Sequence, residues 1–222
     1  MTAHNPARPP DPTPSGAYPP CVSPLEEATP AGPRDAAAAL AFALSRLPAG
    51  DPRPVLFAAP RTWVAEYGRP FARGLAGRLD GGLLLALPRT AAETLWALEQ
   101  ALRSGAVAGA VGAPGEITLT AGRRLAFAAR EGQAAAVLLR PTAGGPSAAG
   151  RRWRVAAAAG TAHPFDARAP GPARLRAELT RRRDGPPGAW WLEQDDETGR
   201  FRLADGLAGD GLVAHGRTRA AA

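Results

Sequence analysis

LLLALPRTAAETLWALEQALRSGAVAGAV, residues 83–111, decides the fold class of this 222-residue chain. Its two ends, 83–87 and 106–111, are continuous apolar runs, which are typical of strands buried on both faces of a sheet. The segment between them predicts a helix over 90–104, because Thr90 begins a capping-box pattern and leucines recur at helical spacing. A strand, a helix and a second strand in this order predict a parallel βαβ unit.

The same alternation continues on both sides of this unit. Further apolar runs predict strands over 55–59 and 135–139. The intervening segments predict helices: 36–46 capped by Asp35, 62–79 interrupted at Pro70, and a helix from Thr118 or Thr120 to Glu131. The chain is therefore expected to form an α/β fold with a mostly parallel sheet flanked by helices.

The pattern changes after Pro141. Strands are predicted near 153–158, 175–183 and 190–194, and a glycine- and proline-rich turn joins the last two. We therefore expect antiparallel strands at the C-terminal edge of the sheet.

Three segments are expected along the chain. The density of prolines in 1–24 predicts a disordered leader, since proline removes backbone donors and favours extended, solvated chain. Residues 25–204 are expected to form one domain, and 205–222 a flexible tail.

Composition excludes several kinds of site. All 27 basic residues are arginine, so no mechanism that needs a lysine is available. Cys21 is the only cysteine and the three histidines lie far apart, which argues against an intrachain disulfide and against a zinc or histidine-based catalytic site. No apolar run approaches a membrane span, so a cytoplasmic protein with no membrane partner is expected. The net charge of +7 suits DNA or an acidic protein, although evenly spread arginines are also an ordinary solvated surface.

Short motifs resemble a known family. The runs 84–90 and 101–107 resemble the RecA core, at a strand with its following turn and at the helix that leads to its magnesium-binding strand. Four further segments are similar to the ImuA family of damage-inducible mutagenesis proteins: Leu25–Ala28, Arg151–Val155, Leu175–Arg181 and Gly185–Trp190. The resemblance covers about 25–205 and implies a RecA-like sheet.

The residues that a RecA-like ATPase needs are missing. In place of a phosphate-binding loop the chain has Thr29–Asp35, where two prolines delete N–H donors and an aspartate would repel phosphate. Gly112-Ala113-Pro114 stands where a magnesium-binding carboxylate is needed, with Glu116 displaced into the next turn. Pro60-Arg61-Thr62 stands where a water-activating glutamate is needed. We therefore predict no enzyme activity, no catalytic residues and no cofactor.

Two clusters are candidates for binding. The candidates for contact with DNA phosphates or an acidic protein are the arginines that bracket two predicted strands: Arg151, Arg152, Arg154, Arg181, Arg182 and Arg183. The alternative is that their charges only protect edge strands. Trp190 and Trp191 must point to opposite faces, so one is expected in the core and the other at the surface as an interface anchor. The acidic run 195–197 is interpreted as a solvated turn and not a metal site.

The resemblance implies a function. It implies a bacterial accessory protein in SOS-induced translesion DNA synthesis that acts as a scaffold. The implied partners are an ImuB-like inactive Y-family polymerase, an alternative DNA polymerase III alpha-type subunit and RecA. Two alternatives stay open: an inhibitor of cell division similar to SulA, and a RecA-type DNA-dependent ATPase.

Overall fold

Nine strands in one sheet organise the computed structural model, which describes residues 18–20, 23–75, 78–160, 163, 166, 168–183, 185–195 and 198–204. The strands are β1 (Leu25–Pro30), β2 (Val55–Ala58), β3 (Leu83–Ala86), β4 (Gly109–Gly112), β5 (Ala135–Leu139), β6 (Arg151–Ala158), β7 (Arg174–Arg182), β8 (Gly188–Gln194) and β9 (Phe201–Leu203). The helices are α1 (Ala36–Ser45), α2 (Arg61–Tyr67), α3 (Ala91–Arg103) and α4 (Leu119–Glu131), with short 3-10 helices at Pro33–Asp35 and Ala72–Leu75.

The strand order is β3-β2-β4-β5-β1-β6-β7-β8-β9. Neighbours from β3 to β6 run parallel, and β6 to β9 run antiparallel. The predicted fold class, a RecA-like mostly parallel sheet with antiparallel C-terminal edge strands, is confirmed. Strand β9 was not predicted, because a strand of three residues is too short to give a recognisable sequence pattern.

The helices cover the two faces of the sheet unequally. Helix α1 packs against β1, β5 and β6, whereas α3 and α4 pack against β2, β4, β5 and β1 on the opposite face. Thr90 and Thr118 cap α3 and α4 as expected, each accepting a hydrogen bond from the N–H three residues on. Asp35 does not cap α1 with its side chain.

Strand β3 differs from its prediction. Its apolar run indicated burial on both faces, yet Leu84 and Leu85 are 49% and 40% exposed. The reason is its place in the sheet, because β3 is the edge strand beside β2 and an apolar run does not reveal strand order.

A β-bulge interrupts the pairing of β6 with β7. Arg152 pairs with Arg181 and the next residue, Trp153, pairs with Leu179, so Thr180 has no counterpart in β6. The Thr180 hydroxyl donates to the carbonyl of Arg152 at 3.1 Å.

The central strand β1 carries two buried carboxylates, Glu26 and Glu27, on opposite faces of the sheet. Arg46, in the last turn of the α1 segment, binds Glu26 with two nitrogens at 2.8 and 3.0 Å. The indole N–H of Trp153 donates to the same carboxylate at 2.7 Å, and Arg151 lies 3.5 Å away. Paired cations and hydrogen bonds are what allow a carboxylate to stay ionised inside a core.

Residues 18–20 complete this Glu26 cluster. The ring of Tyr18 packs 6.0 Å from those of Trp153 and Trp190, and the Pro19 and Pro20 carbonyls accept hydrogen bonds from Arg46. The packed chain therefore includes residues ahead of the boundary expected at Leu25. Residues 1–17, 21–22 and the expected tail 205–222 lie outside the described residues. Within the described part of the chain, no helix has the length and apolar character needed to cross a bilayer.

The Glu26 cluster generates a stability prediction. Arg46→Met keeps the apolar stem but leaves a buried carboxylate without its bidentate partner, which costs about 3–5 kcal/mol in such sites. Arg103→Met is the matched control, because Arg103 is 38% exposed where it binds Glu99 and is expected to cost less than about 1 kcal/mol. Urea denaturation measures both, and equal losses would contradict a dominant role for the cluster.

Candidate functional site

The loop between β1 and α1 occupies the position of a phosphate-binding loop, and four of its residues 30–35 have no backbone donor to offer a phosphate. Pro30 and Pro33 have no N–H, Ala31 donates to the carbonyl of Val155 at 2.7 Å, and the Asp35 N–H donates to Gly32 at 3.0 Å. The Asp35 carboxylate accepts from the N–H of Ala157 at 2.9 Å, just ahead of the first residue of α1. A carboxylate at this helix terminus opposes binding of a second anion.

The end of β4 has no room for a metal-binding side chain. A Cβ atom added to Gly112 would lie 2.4 Å from a methyl carbon of Leu98 on α3. Glycine is therefore required there for α3 to pack, and the next two residues, Ala113 and Pro114, are buried.

The displaced carboxylate, Glu116, belongs to an ion-pair network. Arg140, which is buried directly after β5, binds Glu116 with one guanidinium nitrogen and Glu27 with another at 3.1 Å. Arg152 completes the network, with its Nε atom 2.8 Å from Glu27. The hydroxyl of Thr142, followed by the guanidinium of Arg140, holds the pKa of Glu116 below its ordinary value. Both acids are thus committed to internal cations.

The cavity beside these strand ends is small and mostly apolar. Its volume is about 190 Å³, and its lining includes Pro30, Trp63 and Gly115, with Glu66 and Arg140 as its charged residues. Sites for drug-sized ligands typically occupy roughly 300–1,000 Å³. The small volume therefore disfavours a nucleotide at this edge.

The predicted arginines lie on neighbouring strands, but some of them are buried and others are exposed. Arg151 pairs with Arg182 and Arg152 with Arg181 across β6 and β7. Arg151 is only 2% exposed, where it contacts Glu26 and donates to the Pro20 carbonyl, so it is not a surface cation. Its assignment to a binding patch is corrected, because a guanidinium buried beside Glu26 is not accessible to a partner.

The remaining arginines lie nearer the solvent. Arg154, Arg181 and Arg183 are exposed, whereas Arg152 and Arg182 are half-buried. Arg152 is bound to Glu27, whereas the guanidinium groups of Arg154 and Arg183 each lie 3.4 Å from a backbone carbonyl, that of Ala31 and that of Ala148. Arg154, Arg181 and Arg183 are the exposed cations of the predicted set.

The two tryptophans lie on opposite faces of the sheet, as predicted from strand alternation. Trp190 is 2% exposed and packs 5.9 Å from the ring of Trp153, so it is a core residue and not an interface anchor. Trp191 is half-buried and pairs with Arg176 on the opposite face of the sheet.

Register and alternation place several of these side chains on one surface. We call it the arginine face and define it by Arg154, Arg176, Arg181 and Trp191 of β6–β8. It continues the sheet face covered by α3 and α4 beyond the reach of those helices. Among the described residues, neither Arg154 nor Arg176 forms an ion pair, although the carboxylate of Glu178 lies on the same face. Sequence reasoning missed Arg176.

The acidic run 195–197 has a structural explanation in its described part. Asp195 lies in the connection between β8 and β9, where one carboxylate oxygen accepts from the N–H and hydroxyl of Thr198 at 2.8 and 2.9 Å. Asp196 and Glu197 lie outside the described residues. In the described part of the chain, no cluster of three histidine, cysteine or acidic residues offers a metal site.

The ion-pair network predicts a pH dependence of stability. Because the pKa of Glu116 is lowered on folding, its contribution is present above the pKa of the unfolded chain, about 4.3, and is lost as the pH falls through the folded value. Glu116→Gln is expected to cost about 0.5–1 kcal/mol at pH 7 after solvent screening, and less at pH 3.5. Denaturant titrations at both pH values test this, with Glu131→Gln as an exposed control. A cost that grows on acidification would contradict it.

No protein-family model matches the chain. The chain is 40% identical over 169 residues to Protein ImuA of Caulobacter vibrioides, in two strains, and the alignment covers 68% of this chain and 68% of each relative. A crystal structure of SulA from Pseudomonas aeruginosa is 23% identical with a TM-score of 0.40, over 54% of this chain and 98% of that chain. The identity and coverage of the Protein ImuA alignment agree with the motifs quoted from the sequence, and the chain belongs to the ImuA family of damage-inducible mutagenesis proteins.

Proposed function

We propose that this chain is a non-catalytic accessory protein in SOS-induced translesion DNA synthesis and mutagenesis. One observation supports the proposal beyond family membership: the loop between β1 and α1 lacks two backbone donors because of its prolines, uses two more within the fold and presents Asp35 at the helix terminus. A chain that keeps the sheet without a phosphate site is suited to holding partners together, since its surfaces stay ordered without a bound nucleotide.

The proposed partners are those that the family resemblance implies. They are an ImuB-type inactive Y-family polymerase homologue, an alternative DNA polymerase III alpha-type subunit, and RecA or its filament. The protein would act with them in the cytoplasm, where chromosomal DNA is copied. Its contribution would be to position these proteins, not to change a covalent bond.

Direct contact with DNA is proposed for the arginine face. Arg154 and Arg181 are exposed cations, Arg176 is a half-buried one, and Trp191 of β8 offers an aromatic surface beside Arg176. Guanidinium groups bind phosphate oxygens with two parallel hydrogen bonds, and an aromatic ring stacks with unpaired bases. This combination favours single-stranded DNA over duplex DNA.

Genetic and binding experiments with the cognate partner test the accessory role. Deleting the gene is expected to lower damage-induced mutation frequency, because the polymerase assembly loses its scaffold. The purified full chain is expected to retain its ImuB-type homologue in a pull-down and to show no measurable magnesium-ATP binding by calorimetry. Wild-type mutation frequency after deletion, or saturable ATP binding, would contradict the proposal. Cell filamentation on overexpression would favour the alternative of a division inhibitor.

Charge reversal tests the DNA contact. Arg154→Glu with Arg181→Glu is expected to weaken binding of a 20-nucleotide single strand, measured by fluorescence anisotropy. The slope of log affinity against log salt should fall in magnitude by roughly 1–1.5, since two phosphate contacts are lost. Arg89→Glu with Arg123→Glu makes the same change of charge at other exposed positions. If both pairs of substitutions have the same effect, the contact is non-specific and the arginine face is not the site.

A further inference from the structure

A groove runs along the outer surface of α1, on the sheet face opposite the arginine face. Its floor is made of the small and aliphatic side chains that α1 turns away from the sheet, among them Ala37, Leu40 and Ala41. One wall is formed by lining residues within 63–75 and 78–79, and the other by Gln194 and residues 198–200. The volume of the groove is about 330 Å³, and it extends over the whole of α1, which is about 15 Å long.

The groove is apolar and continues into exposed aromatic surface. Phe71 and Tyr67 line it and are 72% and 44% exposed, so their rings face solvent along its edge. Such aromatic surface beside a preformed recess is typical of sites where an aliphatic or aromatic anchor of another chain is buried. The alanines of α1 provide the depth, because a larger side chain there would fill the recess.

The rim of the groove is positively charged. Arg69 and Arg78 line it from one wall and Arg200 from the other, and its described lining contains no aspartate or glutamate. Arg200 is fixed by hydrogen bonds to the carbonyls of Ser45 and Leu47 at 3.2 and 3.1 Å, at the C-terminal end of α1. The side chain of Arg78 lies close to Gly199, where an added Cβ would approach it to 2.2 Å. Arg78 and Arg200 therefore approach each other across the groove, and neither has a carboxylate partner in its described lining.

We propose that this groove is a docking site for a short segment of a partner protein that carries apolar anchors flanked by carboxylates. An apolar floor selects aliphatic or aromatic side chains, and a rim whose described lining carries three cations and no carboxylate selects acidic neighbours. Arg69 and Arg78 lie on one wall and Arg200 on the other, which suits several carboxylates along a segment more than one compact anion. The inference goes beyond the proposed function, since the groove lies apart from the arginine face and needs neither DNA nor a role in mutagenesis.

Peptide selection on the full chain tests the docking site. A phage library of random 12-residue peptides would be selected against the wild-type protein, with counter-selection against Arg69→Glu/Arg78→Glu. The expected winners have at least two large apolar residues and a net negative charge. The double reversal is expected to weaken their binding roughly tenfold, because two favourable ion pairs become repulsive. Phe71→Asp is expected to weaken it similarly by removing an apolar contact.

Arg73→Glu is the matched control, since Arg73 is exposed in the same segment but does not line the groove. Circular dichroism melts establish that each variant is folded. The proposal is overturned if no peptide is enriched over the counter-selected protein, or if the enriched peptides are neutral or basic. It is also overturned if Arg73→Glu weakens binding as much as the double reversal. A concentration-dependent dimer that the double reversal dissolves would assign the groove to a second copy of the chain, and that result too would overturn the proposal.

Discussion

A carboxylate at the centre of a sheet cannot remain charged unless cations come to it, and this constraint shapes one half of the molecule. Glu26 binds Arg46 at the end of α1 and contacts Arg151 and Trp153 of β6. The carbonyls of Pro19 and Pro20 accept further hydrogen bonds from Arg46. Helix α1, strand β6 and the segment before β1 are thereby fixed relative to one another. Removing the acid alone would leave two buried guanidinium groups, so the cluster is coupled as a unit.

Acids are also paired with internal cations at the carboxyl ends of the parallel strands, and this pairing limits ligand binding there. In a nucleotide-binding α/β protein, donors and acids at the carboxyl ends of the strands are kept available for phosphate and metal. Here Glu116 and Arg140, which follow β4 and β5, bind each other, and Arg140 also binds Glu27 inside β1. The Asp35 carboxylate accepts a hydrogen bond from the backbone of β6. The side chains that could bind a ligand there instead stabilise the fold. The exposed surfaces of the protein are therefore favoured as its functional part, and the strand ends are not.

Local patterns predicted the elements, and long-range contacts explain the differences. Apolar runs located the strands because burial on both faces demands them, and threonines located the starts of α3 and α4. The sequence does not reveal strand order, so β3 was expected to be buried although it is the edge. Arg151 is assigned to a surface patch by its sequence alone because its partner lies far away; Glu26 is 125 residues before Arg151. Alternation predicts one buried tryptophan at 190–191 but not which of the two it is. The acidic pair Glu26-Glu27 in a central strand requires cations from elsewhere, and the sequence does not show where they come from.

The unpaired Thr180 sets the side of the sheet on which the following arginines emerge. Leu179 points into the core, and strict alternation would point Arg181, two residues later, to the same face. Because Thr180 is an extra residue in the bulge, Arg181 instead lies opposite Arg152, on the solvent side. Deletion of Thr180 would make Leu179 and Arg181 neighbours in a regular strand, and their partners Trp153 and Arg152 would stay the same. Evolution of this hairpin is therefore free to gain or lose the residue at the bulge, whereas one residue more or less elsewhere in the strand would turn a guanidinium toward the buried tryptophans.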